Sequence, residues 1–252
     1  MVVLITRPSP DGEALCDALS SCGIQVIYQP LIQFSEGKDS YRLHKALKNA
    51  DLVIAVSKAA VEWAGRVLQS EMQSWPDSIR YFAIGQKTAD KLSEVTAQKV
   101  HYPRVSDSEH LLKLPLLSTL INTKVTILRG NGGRELIRDE LLKRGARVEY
   151  CEVYQRQTLP FDGHSSVKNW KKNNVDHIVL TSGEQLDYFF NMIPNNEHNW
   201  LFEQKLIVPS NRIATLARRL GFHEVAVSGS ASNPDLVAVI QQQCTTGQVH
   251  DK

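Results

Sequence analysis

One junction recurs along this chain and constrains its fold more than any other feature: a short apolar strand ends in a hydroxyl, glycine or arginine residue and passes at once into a helix. It appears at Thr6-Arg7, Ser57, Gly85, Arg129-Gly130, Thr181-Ser182, Ser210 and Ser228. The helix ends repeat as well, as Gly23-Ile24-Gln25-Val26, Gly145-Ala146-Arg147-Val148 and Gly221-Phe222-His223-Glu224-Val225, so one supersecondary unit is reused. Short apolar strands alternating with helices call for parallel, doubly wound α/β sheets.

The clearest copy of the unit spans 125–156. Residues 125–128 read as a strand that stops at Arg129, and Gly130-Asn131-Gly132-Gly133 supplies a turn that tolerates positive φ and close approach. A helix is expected over 134–144, with Leu136, Ile137, Leu141 and Leu142 on one side and Gly145 as its left-handed cap. Residues 148–156, carrying Tyr150, Tyr154 and Arg156, are extended and longer than a usual α/β strand.

Elsewhere, strands are expected at 2–6, 52–56, 80–84, 177–180, 206–208 and 225–227, with a short segment at 100–103. Helices are expected from Ser9-Pro10 to Gly23, over 58–69, directly after Gly85 with Thr88, Ala89 and Leu92, over 108–120, over 186–192, along the stripe Ile213, Leu216, Ala217 and Leu220, and over 234–241. Residues 26–34 read as one extended segment, an edge strand or connection because Pro30 lacks a ladder donor. A domain crossing is expected near 35–39, a loop after Thr158 that includes the polar run 171–174, and a polar tail with Cys244 and His250.

A length of 252 residues suits two ordinary domains, each with its own core. A net charge of +2, with no basic run longer than a pair such as Lys171-Lys172, is too mild to argue for nucleic acid by itself, so any anion site is local. Cys16, Cys22, Cys151 and Cys244 form no CxxC and have no partner histidines at metal spacing, which points to reduced cytosolic thiols and no metal. The first apolar run is five residues long, lacks a basic leader and meets Asp11 soon after, so neither a signal peptide nor a membrane span is expected.

In parallel sheets, ligands bind beyond the carboxyl ends of the strands, where helix N-termini offer free N–H groups. Each such terminus contributes about 0.3–1 kcal/mol, so several converging across a cleft between two domains would hold a polyanion without a basic patch. Any one of these serines and threonines also reads as a plain N-cap. As a dinucleotide fingerprint, Gly130 to Gly133 is incomplete: Glu135 stands where the third glycine belongs, although Glu149 falls where a ribose-binding acid would. No Walker lysine and no hydrolase histidine motif is present, so nothing designates a covalent nucleophile.

The run LRGNGGRELIRDELLKRGARVEYCEVYQR, with ITRP at 5–8, AIGQKTA at 83–89, TSGEQLDYFF at 181–190 and SNRIATLARRLGF at 210–222, resembles uroporphyrinogen-III synthase, in order and over nearly the whole chain. The resemblance implies two doubly wound parallel-sheet α/β domains joined by a two-stranded β connection. Residues 1–31 and 158–252 would form a discontinuous first domain, 36–147 a second, and 26–35 with 148–158 the connecting strands. It further implies a linear tetrapyrrole substrate, hydroxymethylbilane, whose carboxylates match the polyanion argued above. The family's reaction removes the ring A hydroxyl and closes the macrocycle with ring D inverted, through a spirocyclic pyrrolenine and without a cofactor. Left alone, the same substrate closes without inversion, so positioning dominates.

Carried over residue by residue, the resemblance makes Tyr154 the principal catalytic residue, a phenol that hydrogen-bonds or protonates the departing oxygen. Tyr154 reads equally as a packed linker tyrosine with a satisfied hydroxyl. Arg7, Arg129, Arg134, Arg156 and Arg212 would pair with carboxylates, while Ser57, Gly85, Thr88, Gly130, Thr181, Ser182, Ser210 and Ser228 would offer hydroxyl or backbone contacts. The chain departs from the family at Ala55-Val56-Ser57-Lys58-Ala59, where a Thr-Ser pair and an Asn are common. The expected protein is a cytoplasmic monomer that binds no nucleic acid or membrane and meets the enzyme that makes its substrate transiently. The rival readings are a non-enzymatic two-domain polyanion-binding protein, which would not need Tyr154, and a nucleotide-dependent oxidoreductase.

Overall fold

A computed structural model describes residues 1–247. In chain order the elements are β1 (Val2–Ile5), α1 (Asp11–Ser21), β2 (Gln25–Tyr28), β3 (Ile32–Glu36), α2 (Leu43–Asn49), β4 (Leu52–Ala55), α3 (Lys58–Ser70), β5 (Arg80–Ala83), α4 (Gln86–Thr96), β6 (Val100–His101) and α5 (Ser108–Leu111). There follow β7 (Lys124–Gly130), α6 (Leu136–Lys143), β8 (Arg147–Thr158), α7 (Gly163–Lys172), β9 (His177–Val179), α8 (Gly183–Met192), α9 (His198–Phe202), β10 (Lys205–Val208), α10 (Asn211–Leu220), β11 (Val225–Val227) and α11 (Asn233–Gly247). The chain divides into two compact units: Met1–Gln33 together with the chain from Gln157 onward, and Phe34–Arg156.

The first unit is built on a five-stranded parallel sheet, β11-β10-β9-β1-β2. Its strands are apolar on both faces because both are covered. Val3, Ile5, Val179 and Ile207 meet Leu15 and Leu19 of α1 and Leu236 and Ile240 of α11. Leu4, Ile178, Leu180 and Leu206 meet Val167 and Trp170 of α7, Phe189 of α8 and Ile213 of α10.

The second unit holds a six-stranded sheet, β3-β8-β7-β4-β5-β6, parallel from β8 to β6. Here α2, α3 and α4 pack on one face through Leu47, Val61, Ala64 and Leu92, and α5 and α6 on the other through Leu111, Ile137 and Leu141. Strand β3 lies against the outer side of β8. The two run antiparallel, since Leu159 N–H meets the Leu31 carbonyl and Gly37 N–H the Val153 carbonyl.

The helix caps expected at Gly23, Gly145 and Gly221 are present, with φ of +75°, +86° and +117°. Several expectations need correction. The extended run 26–34 is two strands, divided around Pro30 and paired into different sheets. Strand β7 continues through Arg129 and Gly130, and α6 begins only at Leu136, because Glu135 is its cap residue. The helix expected over 108–120 stops at Leu111, and Pro115 starts a separate 3-10 turn, Pro115–Leu117. The loop expected after Thr158 contains α7, which Asp162 caps by accepting the His164 and Ser165 N–H groups and which buries Val167 and Trp170. Helices α2 and α9 have no counterpart in the sequence reading; both are too short for a strong apolar period. Helix α11 runs to Gly247 and takes in Cys244, while His250 of the expected tail lies outside the described residues.

Candidate functional site

In the second unit the winding reverses between β4 and β7: from β4 the chain proceeds through β5 to β6, and from β7 it proceeds the other way to β8. Helices α3 and α6 therefore leave adjacent strand ends toward opposite faces, and such a switch opens a crevice at the carboxyl edge. A cavity of about 240 Å³ lies there. Its apolar lining comes from Val56, Ile84, Ile127 and Ile137, and its polar lining from Ser57, Arg129, Tyr150 and Tyr154.

A bulge aims Tyr154. Along β7 and β8, Leu128 pairs with Cys151 and Arg129 with Glu152, but Gly130 pairs with Tyr154, so Val153 is the extra residue. An extra residue turns the following side chain to the other face of the sheet. Tyr154 accordingly packs on the α3 side, edge-on to Phe34 with ring centres 5.7 Å apart. Its hydroxyl lies 3.3 Å from Ser57 Oγ, and that oxygen also accepts the Ala60 N–H at 3.0 Å as the N-cap of α3. Gly130 is required beside it, because a Cβ there would stand 2.5 Å from Tyr154 Cζ.

On the opposite face, Arg129 is 5% exposed. Its Nε donates to the Gly130 carbonyl at 3.2 Å, its Nη2 to the Gly133 carbonyl at 3.2 Å and its Nη1 to Glu135 at 2.9 Å. The guanidinium carbon sits 4.2 Å from the centre of the Tyr150 ring, whose hydroxyl donates to the other Glu135 oxygen at 2.6 Å. Burial, and then the bond to Glu135, pushes the Tyr150 hydroxyl up to about 12. The Tyr150 hydroxyl, then Arg129, holds Glu135 below the usual carboxylate range. Sequence reasoning assigned no role to Tyr150 or Glu135; the broken glycine fingerprint at Glu135 was the available signal.

The other expected residues of this unit are distributed as follows. Gly85 opens α4, where a Cβ would run into the Ser106 side chain; Thr88 is buried one turn along and does not line the cavity. The Arg156 backbone N–H donates to Asn131 Oδ1 at 2.8 Å and its carbonyl accepts from Asn131 Nδ2 at 3.2 Å, which ties the glycine turn to β8. Arg134 lines the cavity and forms an exposed ion pair with Glu109.

In the first unit the winding reverses between β1 and β9. After β9, the Thr181 N–H and hydroxyl donate to Gln185 Oε1 at 3.0 and 2.8 Å, and Ser182 Oγ caps α8 by accepting the Gln185 N–H at 3.1 Å. Ser210 opens α10 with no side-chain cap bond, and Arg212 is exposed in the first turn. Ser228 Oγ donates within its own turn to the Ser230 carbonyl at 2.6 Å. Arg7 differs from these, being 8% exposed and bonded to Asn233 and, at 3.0 Å, to Asp11, so it ties β1 to the starts of α1 and α11. Among the described residues, no group of three His, Cys, Asp or Glu side chains is placed to hold a metal, and no helix is long and apolar enough to cross a membrane.

Two doubly wound sheets, with hydroxyl, glycine and arginine residues along their carboxyl edges and a cavity at a switch point, define an α/β protein of the class whose ligand sites lie at strand ends. Residues 13–238 match the family described as uroporphyrinogen-III synthase HemD. The chain is 42% identical to the uroporphyrinogen-III synthase of Escherichia coli (strain K12) over 247 residues, 96% of this chain and 100% of that protein. It is likewise 42% identical to the enzyme of Salmonella typhimurium (strain LT2) over 248 residues, with the same coverage. Among solved structures, a mutant uroporphyrinogen III synthase of the extremely thermophilic bacterium Thermus thermophilus aligns with a TM-score of 0.65, at 16% identity over 97% of this chain and 98% of that one. The Helicobacter pylori 26695 enzyme aligns with a TM-score of 0.56, at 16% identity over 96% and 98%. At that identity, the structural likeness speaks for the fold. The chain belongs to the uroporphyrinogen-III synthase family, the cyclising lyases of tetrapyrrole biosynthesis.

Proposed function

We propose that this chain converts hydroxymethylbilane to uroporphyrinogen III, with ring D inverted and water lost, and that the cavity at the carboxyl edge of β4 and β7 holds the reacting end of the substrate. The observation that carries this reading is the aim of Tyr154: a bulge and an obligatory glycine set its phenol at the cavity wall beside Ser57. Ser57 already accepts the Ala60 N–H, and its own hydroxyl hydrogen can be donated to the Tyr154 oxygen. In that arrangement the phenol O–H is free to point at the departing hydroxyl of ring A and to donate its proton as the carbon–oxygen bond breaks. The apolar lining excludes water from the cation left behind, which would otherwise be trapped before the ring closes.

Substrate carboxylates are assigned to the strand-end donors: Ser57, Gly85 and Gly130 in one sheet, and Thr181, Ser182, Ser210, Arg212 and Ser228 in the other. Arg156 supports this set. Thr88 acts from behind the cavity wall, Arg7 braces the starts of α1 and α11, and Arg129 lines the cavity while paired with Glu135. The chain is further proposed to work in the cytoplasm as a monomer without a cofactor, and to meet the enzyme supplying its substrate transiently.

Incubation with freshly generated hydroxymethylbilane, followed by chromatographic identification of the product isomer, tests the reading. Type III product is expected. Type I product alone, at the rate of the uncatalysed closure, would leave a binding protein and overturn it.

A further inference from the structure

Arg129 is the buried cation of the cavity wall, and most of its donors are committed. Nε and Nη2 serve the carbonyls of Gly130 and Gly133, and Tyr150 covers one face of the guanidinium. What remains directed at a carboxylate is Nη1, and Glu135 takes it with one oxygen while taking the Tyr150 O–H with the other. Glu135 therefore occupies a two-donor carboxylate subsite made by Arg129 and Tyr150, both of which line the cavity.

The two partners differ in their freedom to leave. The Arg129 side chain is 7% exposed and that of Glu135 is 50% exposed. A buried guanidinium cannot be left unpaired cheaply, whereas a half-exposed carboxylate regains water as it turns away. Glu135 also makes no cap bond to its own helix, and it follows Gly132 and Gly133, the latter at φ +122°, so little holds its side chain except the two donors.

We propose that Glu135 stands in for a substrate carboxylate: it keeps Arg129 and Tyr150 in place in the free enzyme and yields both donors to a carboxylate of the tetrapyrrole on binding. The inference rests on the reading of the cavity as the substrate site. One carboxylate replaces another, so the exchange costs little, and it sets a threshold that a ligand lacking a well-placed carboxylate does not cross. Glu135 is a positioning and specificity-determining residue, not a catalytic one.

The test uses Glu135→Gln and Glu135→Asp in the full chain, with steady-state kinetics on hydroxymethylbilane and equilibrium titration with uroporphyrin III as an octacarboxylate probe. Glutamine keeps the shape but loses the charge, and charge-assisted bonds are about twice as strong as neutral ones, so the internal competitor weakens. KM and the probe's Kd are expected to fall by about fivefold, as they do when a larger fraction of the protein is binding-competent, with kcat moving less than KM. Glu135→Asp retains the charge and is expected to return both values toward wild type. Unchanged or raised KM and Kd in folded Glu135→Gln, or a variant that no longer folds, would make Glu135 a fixed strut and overturn the exchange. Failure of the underlying reading is distinguishable, because Tyr154→Phe, altered at the same cavity, would then form type III product as fast as the wild type.

Discussion

Gly130 and Tyr154 face each other across a bulge in β8, with the tyrosine ring filling the space that a side chain at position 130 would need. In the glycine turn that the sequence marks for close approach, Gly130 lets the Tyr154 ring pass over the end of β7.

Gly130→Ala places a methyl group 2.5 Å from Tyr154 Cζ, and either the ring or the strand end has to move. Overpacking of this kind costs about 1–3 kcal/mol. Chemical denaturation is expected to show that loss, and turnover measured where the variant is still fully folded should fall further than stability accounts for. Wild-type turnover would mean that the position of the ring is immaterial.

Tyr154→Phe keeps the ring and its edge contact with Phe34 and removes only the hydroxyl shared with Ser57. Stability should change by about 1 kcal/mol or less. The rate of type III formation is expected to drop about 10²-fold or more, the usual contribution of a positioned general acid. A variant as fast as wild type would remove Tyr154 from the chemistry.

Asp39 supports the bulge from the β3 side. One oxygen accepts the Glu152 N–H at 3.0 Å and the other the Arg42 guanidinium at 3.0 Å. Burial raises its pKa, but the Arg42 bond and then the Glu152 N–H outweigh burial and leave it below the usual value. A depressed folded pKa means that the contribution is fully present above the ordinary aspartate range, about 4, and is lost as pH falls through the folded value. Asp39→Asn should therefore be less stable by about 1–3 kcal/mol at neutral pH and converge with wild type on acidification. Denaturation curves recorded across that range check this, and a difference independent of pH would contradict it.

Arg7 was expected among the substrate ligands, yet its guanidinium is enclosed with Asn233 and Asp11. Arg7→Ala is expected to cost about 1–3 kcal/mol by loosening the starts of α1 and α11. Hydrogen exchange should rise first in those two helices. If stability were untouched while KM rose steeply, Arg7 would be a direct ligand instead.

Local order was legible in the amino-acid sequence. Runs such as Val2–Ile5, Leu52–Ala55 and Lys205–Val208, the helices that follow them, and the glycine caps at 23, 145 and 221 depend on neighbours a few residues apart, so periodicity and turn chemistry sufficed. The alternation also implied two parallel sheets and placed the candidate residues at their carboxyl edges. Tertiary structure decided what depends on distant pairing: the assignment of the segments on either side of Pro30 to different sheets, the switch points, the bulge at Val153, and the contacts of Arg7 with Asn233 and of Arg129 with Tyr150. A bulge exists only relative to the register of a neighbouring strand, and Arg7 meets Asn233 and Arg129 meets the Tyr150 ring only once separate segments have packed, so neither leaves a mark on the local pattern.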